Sequence, residues 1–449
     1  MSSTQRIAVI GSGISGLAAA WLLGRGPYEV TLFEAESRLG GHSNTVDVTL
    51  EGRTHPVDTG FLVFNERTYP NLMALFAHLG VQSVNSEMSF AVSLQDPHLE
   101  WAGSNLLTVF GQKRNLLRRP FWAMLSDILR FNRESSAWIA SHPGQPRSLR
   151  EFLIDGRYAN SFCDWYLLPM AAAIWSCPTG QMLDMPLVTF VRFCQNHGLL
   201  QIFDRPLWRT VKGGSREYVN KIAAQLHDVR LACPVRAVTR RGAQLQVIDD
   251  RGSDSFDQVV MACHSDQALA LLGATASNSQ RELLAKIRYQ ANRALLHTDS
   301  GLLPRDSRLW SAWNYFAGRG EPGTQAVGVS YLINRLQPLP FKTPVVVTLN
   351  PAIEPDPAKV IAEFDYAHPI FDGPAIAAQQ HLAAAQGQNG IWLAGAWSGY
   401  GFHEDGLKSA LQVANGLGVR APWQAQPRST PRAVALAPQF ARSAAEPRG

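Results

Sequence analysis

Ile7-Ala8-Val9-Ile10-Gly11-Ser12-Gly13-Ile14-Ser15-Gly16, followed by Leu17–Leu23, Tyr28–Phe33 and Glu34, is the stretch whose reading decides the fold. Arg6–Ile10 and Tyr28–Phe33 are short β-rich runs, and the Ala/Leu-rich segment between them has helical character, so the three predict a βαβ unit. The glycine triplet sits where the first strand turns into the helix. There Gly11 permits the tight turn, Gly13 lets a backbone approach a pyrophosphate, and Gly16 lets helix and strand pack closely. The helix N-terminus adds unpaired N–H groups and a partial positive charge. Glu34, closing the second strand, is placed to accept hydrogen bonds from both hydroxyls of an adenosine ribose. A ribose 2′-phosphate would be repelled there, which disfavours NADP.

Outward from this unit, Thr45–Leu50 and Pro56–Val63 read as strands, and Tyr69–Leu79 has helical spacing that stops at Gly80. From about Ser104 to Leu200 the pattern is helical and aromatic. Strand signals return at Val229–Val238, Gln244–Asp249, Gln258–Ala262, Ala326–Leu332 and Val345–Leu349. A last strand, Ile391–Ala394, runs through a glycine-rich turn into the helix Gly406–Leu417. Beyond Arg420 the Pro/Ala/Arg/Gln composition predicts a disordered tail. No internal repeat and no second GxGxxG after a strand is present, so a dedicated NAD(P)H site is not expected.

The chain has 449 residues, 46% hydrophobic and 17% charged, which predicts a globular protein of more than one domain. No apolar run is long enough to span a bilayer, and the N-terminal segment lacks signal-peptide architecture. Five widely spaced cysteines without a CxxC pair speak against a disulfide framework and a zinc site, and fit a reducing, cytoplasmic compartment. The formal net charge of +5 comes with no nucleic-acid-binding motif.

Continuing past Glu34, the run Ala35-Glu36-Ser37-Arg38-Leu39-Gly40-Gly41-His42 makes the signature more specific. Ile7–Gly41 resembles the FAD-binding signature of the flavin amine-oxidase superfamily, which includes monoamine oxidases, protoporphyrinogen oxidase and phytoene desaturases. Pro56–Phe61, Ala232–Val235, Gly390–Ala396 and Asp405–Ala410 are similar to further segments of that family. The resemblance implies a Rossmann-type, glutathione-reductase-like α/β FAD domain interleaved with a mixed α+β substrate domain. The expected division is 1–95, 205–270 and 385–420 for the first, and 96–204 and 271–384 for the second. It implies cofactor contacts at Gly11, Ser12, Gly13, Ile14, Ser15, Gly16, Glu34, Ala35, Arg38, Gly40, Gly41, His42, Thr59, Gly60, Phe61, Val235, Gly395, Ala396, Asp405, Gly406 and Leu407. His42 stands where the family carries arginine. No lysine occurs in Tyr289–His297, the stretch comparable to the one holding the monoamine-oxidase lysine. No clear cysteine for flavin attachment occurs near the C-terminal motif either, so non-covalent FAD is expected.

The phrases Gly41–Thr45, Trp208–Ser215, Ala262–Gln267 and Gly401–Gly406 resemble a bacterial branch of amine-oxidase-like proteins associated with cyclopropane-fatty-acid synthase-type methyltransferases. That resemblance implies oxidation of fatty-acyl or modified lipid substrates and a lipid-modifying methyltransferase as partner. The basic and apolar residues interleaved through Asn105–Arg133 read either as a membrane-contacting surface on the inner face of the membrane or as an ordinary amphipathic helix pair. His403, Glu404 and Tyr400 are the candidates for acid/base or positioning roles. His297, Trp313, Asn314 and Tyr315 are candidates for the pocket wall. Three readings stand at this point: an FAD-dependent oxidase or desaturase of an apolar substrate, a flavin amine oxidase, and a non-catalytic FAD-binding partner in a lipid-modifying complex.

Overall fold

The computed structural model describes residues 4–142, 144–175, 179–201, 206–318 and 328–424. Gln5–Ile10 is a central strand because both its faces are apolar, and Ile7, Ala8 and Val9 are fully buried. It pairs in parallel with Tyr28–Phe33 on one side and Gln258–Met261 on the other, Val9 lying opposite Leu32 and Val260. Asp228–Arg230 and Ile391–Leu393 form the edges of this five-stranded, all-parallel sheet. The crossover helix Ile14–Leu23 is buried along its whole length, since the final helix, His403–Gly416, covers its outer side.

A second, seven-stranded sheet carries the other half of the molecule. Its order is Val360–Pro369, Tyr289–His297, Val346–Leu349, Gly328–Leu332, Trp313–Ala317, Phe90–Leu94 and Leu99–Ala102. All neighbours are antiparallel except Trp313–Ala317 and Phe90–Leu94. Phe90–Leu94, which the expected boundary at residue 95 groups with the dinucleotide segments, is therefore hydrogen-bonded into this sheet instead. A helical layer lies against it: Leu168–Trp175 packs on Trp313–Ala317, Arg119–Ser141 sets Phe121 against Trp101, Leu187–Asn196 packs on Arg119–Ser141, and Leu149–Asp155 packs on Leu187–Asn196. In the longest of these, Phe121, Met124, Ile128, Phe131 and Ser135 recur every three or four residues and face inward, as a helix of 3.6 residues per turn requires.

Two expected strands end early. Val229–Val238 breaks after Arg230 and resumes at Val235, because Ala232 and Cys233 donate their N–H groups to the carbonyls of Glu36 and Glu34. Pro56–Val63 stops at Asp58, since Thr59 and Phe61 bond instead to the carbonyls of Asn44 and His42. The tail expected after Arg420 lies, from residue 425 onward, outside the described residues. No helix among the described residues is long and apolar enough to cross a membrane.

Candidate active site

The parallel sheet, the seven-stranded sheet and the helical layer enclose one cavity of about 1730 Å³. One end lies where the first strand meets its helix. Gly11 has φ +100°, and a Cβ there would sit 2.9 Å from the Ala262 carbonyl oxygen. Gly13 is different in kind: a Cβ would meet nothing within 4 Å, because the position faces open cavity. It is the N-cap of Ile14–Leu23, and no side chain caps that helix. The first-turn amides are thus aimed at space that a phosphate can fill. Glu34 is held ready beside it. One carboxylate oxygen accepts from the Ser12 N–H at 2.8 Å and from the Ser12 hydroxyl, the other from the Glu36 N–H at 2.9 Å. An uncapped helix, an open cradle at Gly13 and an oriented acid are the donor and acceptor set of an adenine dinucleotide, so the residues present fit the ADP half of FAD.

Gly11, Ser12, Gly13, Ile14, Ser15, Glu34, Ala35, Arg38, Gly40, Gly41, His42, Thr59, Gly60, Phe61, Val235, Gly395 and Ala396 all line the cavity. Gly16, Asp405, Gly406 and Leu407 are not among the lining residues, and each has a packing or hydrogen-bonding role in the fold. A Cβ on Gly16 would run into the Gly11 carbonyl oxygen, so this glycine sets strand–helix packing. A Cβ on Gly406 would lie 2.7 Å from Ile14 Cγ2, so this glycine lets the final helix cross the first one. Leu407 is fully buried core. Asp405 accepts the Tyr400 and Phe402 N–H groups and ties down the turn before the final helix; burial pushes its carboxyl up to about 6.

Glu404 also departs from its expected place. Its buried carboxylate faces the helix Pro70–Leu79, accepting from the Asn71 side-chain amide at 2.7 Å and the Leu72 N–H at 3.0 Å. It does not line the cavity, because the one-residue step from His403 turns its direction by roughly 100° around the helix. His403 and Tyr400 do line it. The His403 ring stacks on Phe61 with centroids 3.6 Å apart, and its Nε2 contacts the Ser43 and Tyr218 hydroxyls at 2.9 and 3.2 Å. Burial lowers its pKa to about 3, so it is neutral at physiological pH. Tyr400 packs edge-on to Phe193.

Sequence reasoning missed a second cluster on the facing sheet. His42 stacks on Tyr366, with centroids 4.8 Å apart, and neighbours His368 at 5.1 Å. The tautomer of His368 follows from its partner. Asn292 donates its Nδ2 to the Gln290 carbonyl, and the same amide reaches His368 Nδ1 at 2.8 Å. Nδ1 must then accept, leaving the proton of neutral His368 on Nε2. Burial lowers the pKa of His368 to about 4, and that of His42 well below the usual range. His42 Nε2 is buried with no protein partner, an orphan polar atom on the cavity wall where the signature's arginine would stand. A signal for this cluster exists in the sequence: Val360, Ala362, Phe364, Tyr366 and His368 alternate with Ile361, Glu363, Asp365 and Ala367.

Of the four pocket candidates, only Trp313 reaches the cavity. His297 is buried against Thr348, Asn314 bonds Ser311 and Ser330, and Tyr315 packs into the core. The far arm of the cavity, the part of its wall that residues 101–206 supply, comes from the strand Leu99–Ala102, the helices after it and, beyond them, Gly198, Leu199 and Pro206. The acids on the wall, Glu34, Glu36, Glu87, Glu363 and Asp365, come from outside this arm. Eighteen lining residues fall between Trp101 and Pro206, and among these described residues none is Asp, Glu, Lys or Arg.

A family model described as flavin-containing amine oxidoreductase matches residues 14–342. The carotenoid phi-ring synthase of Streptomyces griseus is 27% identical over 331 residues, covering 68% of this chain and 59% of that protein. The chain spans about half the length of the curated relatives that share most of it. Among solved structures, the CLA-producing fatty acid isomerase from P. acnes aligns over 93% of this chain and 100% of that one, at 15% identity and a TM-score of 0.65. Cyclohexylamine oxidase from Brevibacterium oxydans IH-35A covers 92% of this chain and 100% of that one, at 16% identity and a TM-score of 0.62. At these identities the two structures share the fold.

Proposed function

Because the chain belongs to the flavin-containing amine oxidoreductase family and is an FAD-dependent oxidoreductase, we propose that it oxidises or desaturates an apolar, fatty-acyl or modified lipid substrate. The single observation that carries this reading is the uncharged far arm. Leu125, Ile128, Leu129, Met170 and Phe193 offer an acyl chain a continuous apolar wall, while a protonated amine would find no carboxylate among the described residues of that arm. Held by the amides around Gly13 and the Glu34 carboxylate, FAD would supply two-electron redox chemistry.

The protein's own residues divide the remaining work. The amides around Gly13 and the Glu34 carboxylate hold the ADP end. His42 Nε2 and the Nε2–H of His368 present polar atoms at the inner wall, where they orient the polar end of cofactor or substrate. His403, neutral and held by Ser43 and Tyr218, acts as a positioning residue through its stack on Phe61. The cysteines on the cavity wall, Cys233 and Cys263, are raised by burial to about 11 and about 12, which suits non-covalent flavin.

The test is anaerobic mixing of the flavin-loaded protein with fatty acids, phospholipids and amines, following the oxidised-flavin absorbance. Bleaching by acyl substrates supports the reading. Bleaching by amines alone, with peroxide and ammonia released in air, replaces it with amine oxidation. No bleaching by any of them favours a flavoprotein that serves as a non-catalytic partner.

A further inference from the structure

The far arm of the cavity opens through a surface of unusual composition. Leu106, Leu107, Leu116, Leu117, Trp122 and Leu129 are 77%, 86%, 49%, 89%, 50% and 56% exposed. Six of the eleven exposed large apolar side chains among the described residues thus fall within one short stretch of chain. They are held out rather than left loose. Asn105 and Thr108 cap the turn that carries Leu106 and Leu107, and the Trp122 indole donates to the Leu116 carbonyl at 2.9 Å. Leu106 and Leu129 also line the cavity, so the surface and the arm are continuous.

The charge around this surface has one sign. Lys113, Arg114, Arg118 and Arg119 lie within it, and no Asp or Glu occurs between Glu100 and Asp127. The guanidinium groups of Arg114 and Arg118 donate to the His98 carbonyl, and neither these nor Lys113 and Arg119 is ion-paired among the described residues. From this geometry we infer that the surface docks on an anionic bilayer, its leucines and Trp122 entering the headgroup boundary while the four cations face lipid phosphates. Substrate then passes from the lipid between Leu106 and Leu129 into the uncharged arm without crossing water. A second copy of the chain is disfavoured as occupant, because two-fold pairing would set four cations against four. The use of this surface as an entrance rests on the acyl-substrate reading above; the docking itself does not.

The experiment is sedimentation of the full-length, flavin-loaded protein with phosphatidylcholine vesicles, with and without phosphatidylglycerol. The wild type is expected to sediment with the anionic vesicles and less so as salt rises. Neutralising two interfacial cations in Arg118→Gln/Arg119→Gln should lower the partition about thirtyfold. Leu106→Asp/Leu107→Asp/Leu117→Asp should abolish it. Arg119 and the three leucines are exposed, and Arg118 is half-buried with its guanidinium on the His98 carbonyl. Both variants should therefore keep the flavin absorbance, and the leucine variant should also keep the melting midpoint of the wild type. Failure of the wild type to bind, or binding equal in both variants, overturns the inference. So does binding lost only in Arg428→Glu/Arg432→Glu, or a dimer in solution that the leucine variant dissolves. Docking without acyl turnover would keep this inference and remove the acyl reading, whereas acyl turnover without docking would do the reverse.

Discussion

Replacing Glu404 separates a structural carboxylate from a catalytic one. Its side chain accepts from the Asn71 Nδ2 at 2.7 Å, the Leu72 N–H at 3.0 Å and the Asn71 N–H at 3.2 Å, and it is 3% exposed. Hydrogen bonds to a charged acceptor contribute about 1.5–3 kcal/mol each, and a buried donor left without a partner costs about 1–3 kcal/mol. Glu404→Ala removes two good bonds and strands the Leu72 N–H, so the loss, with each range taken at its low end, is about 4 kcal/mol. With an unfolding entropy of about 2.1 cal/mol/K per residue over this chain, the melting midpoint should fall by about 4 °C. Glu404→Gln keeps one acceptor but turns an amide donor toward another donor, and should lose about half as much. Below the melting transition both variants should retain flavin and turn over substrate within about twofold of the wild type. A general acid or base, by contrast, contributes about 10²–10⁴-fold to rate. Thermal denaturation and steady-state kinetics on the same samples decide it. If Glu404→Gln melts with the wild type and loses two orders of magnitude in kcat, the carboxylate belongs to the chemistry and the geometry has been misread.

Gly13 and Gly16 should respond oppositely to added bulk. Gly13→Val, facing open cavity, leaves the apoprotein's melting midpoint nearly unchanged but weakens FAD binding at least about 100-fold, whereas Gly16→Ala destabilises the apoprotein itself; calorimetry and flavin titration tell the two apart. Asp58 gives a pH signature. It accepts from Thr45, Ser215 and Gln337 yet is raised by burial to about 6. Its folded pKa therefore lies above the unfolded one, the native state holds the extra proton, and its contribution is greatest below about pH 4. Asp58's own contribution should shrink by about 3 kcal/mol as pH rises from about 4 to about 6, while the buried neutral histidines, with folded pKa values below their unfolded ones, push total stability the other way. Asp58→Asn should therefore gain about 3 kcal/mol relative to the wild type across that window, read from paired denaturant midpoints. His403 is neutral above about pH 3. The pH profile of kcat/KM between pH 5 and 8 should consequently keep its limbs in His403→Gln, while the loss of the stack on Phe61 lowers kcat; disappearance of a limb would make His403 a titrating catalyst.

The dinucleotide half of the molecule was legible in the sequence because its determinants are local. A glycine pattern between a strand and a helix, with an acid ending the next strand, constrains backbone geometry within a short run, and Ser12, Gly13 and Glu34 meet in the structure much as their spacing implies. The helix Tyr69–Leu79 and the strand Gln244–Asp249 likewise declared themselves through periodicity. Where residues act at long range the sequence was mute. Tyr366 and His368 face His42 only because Val360–Pro369 pairs with Tyr289–His297, and strand pairing is decided by packing over the whole sheet.

Amino-acid order alone therefore determined the βαβ unit, the cofactor class and the family, since each rests on contacts within a few residues. Tertiary structure alone decided which side of the final helix each residue faces. It sent His403 to the cavity and the adjacent Glu404 to a neighbouring helix, because successive residues on a helix point roughly 100° apart and only the packing of that helix says which direction is inward. It likewise brought the exposed leucines to the mouth of the uncharged arm, a juxtaposition set by how the helical layer closes over the second sheet.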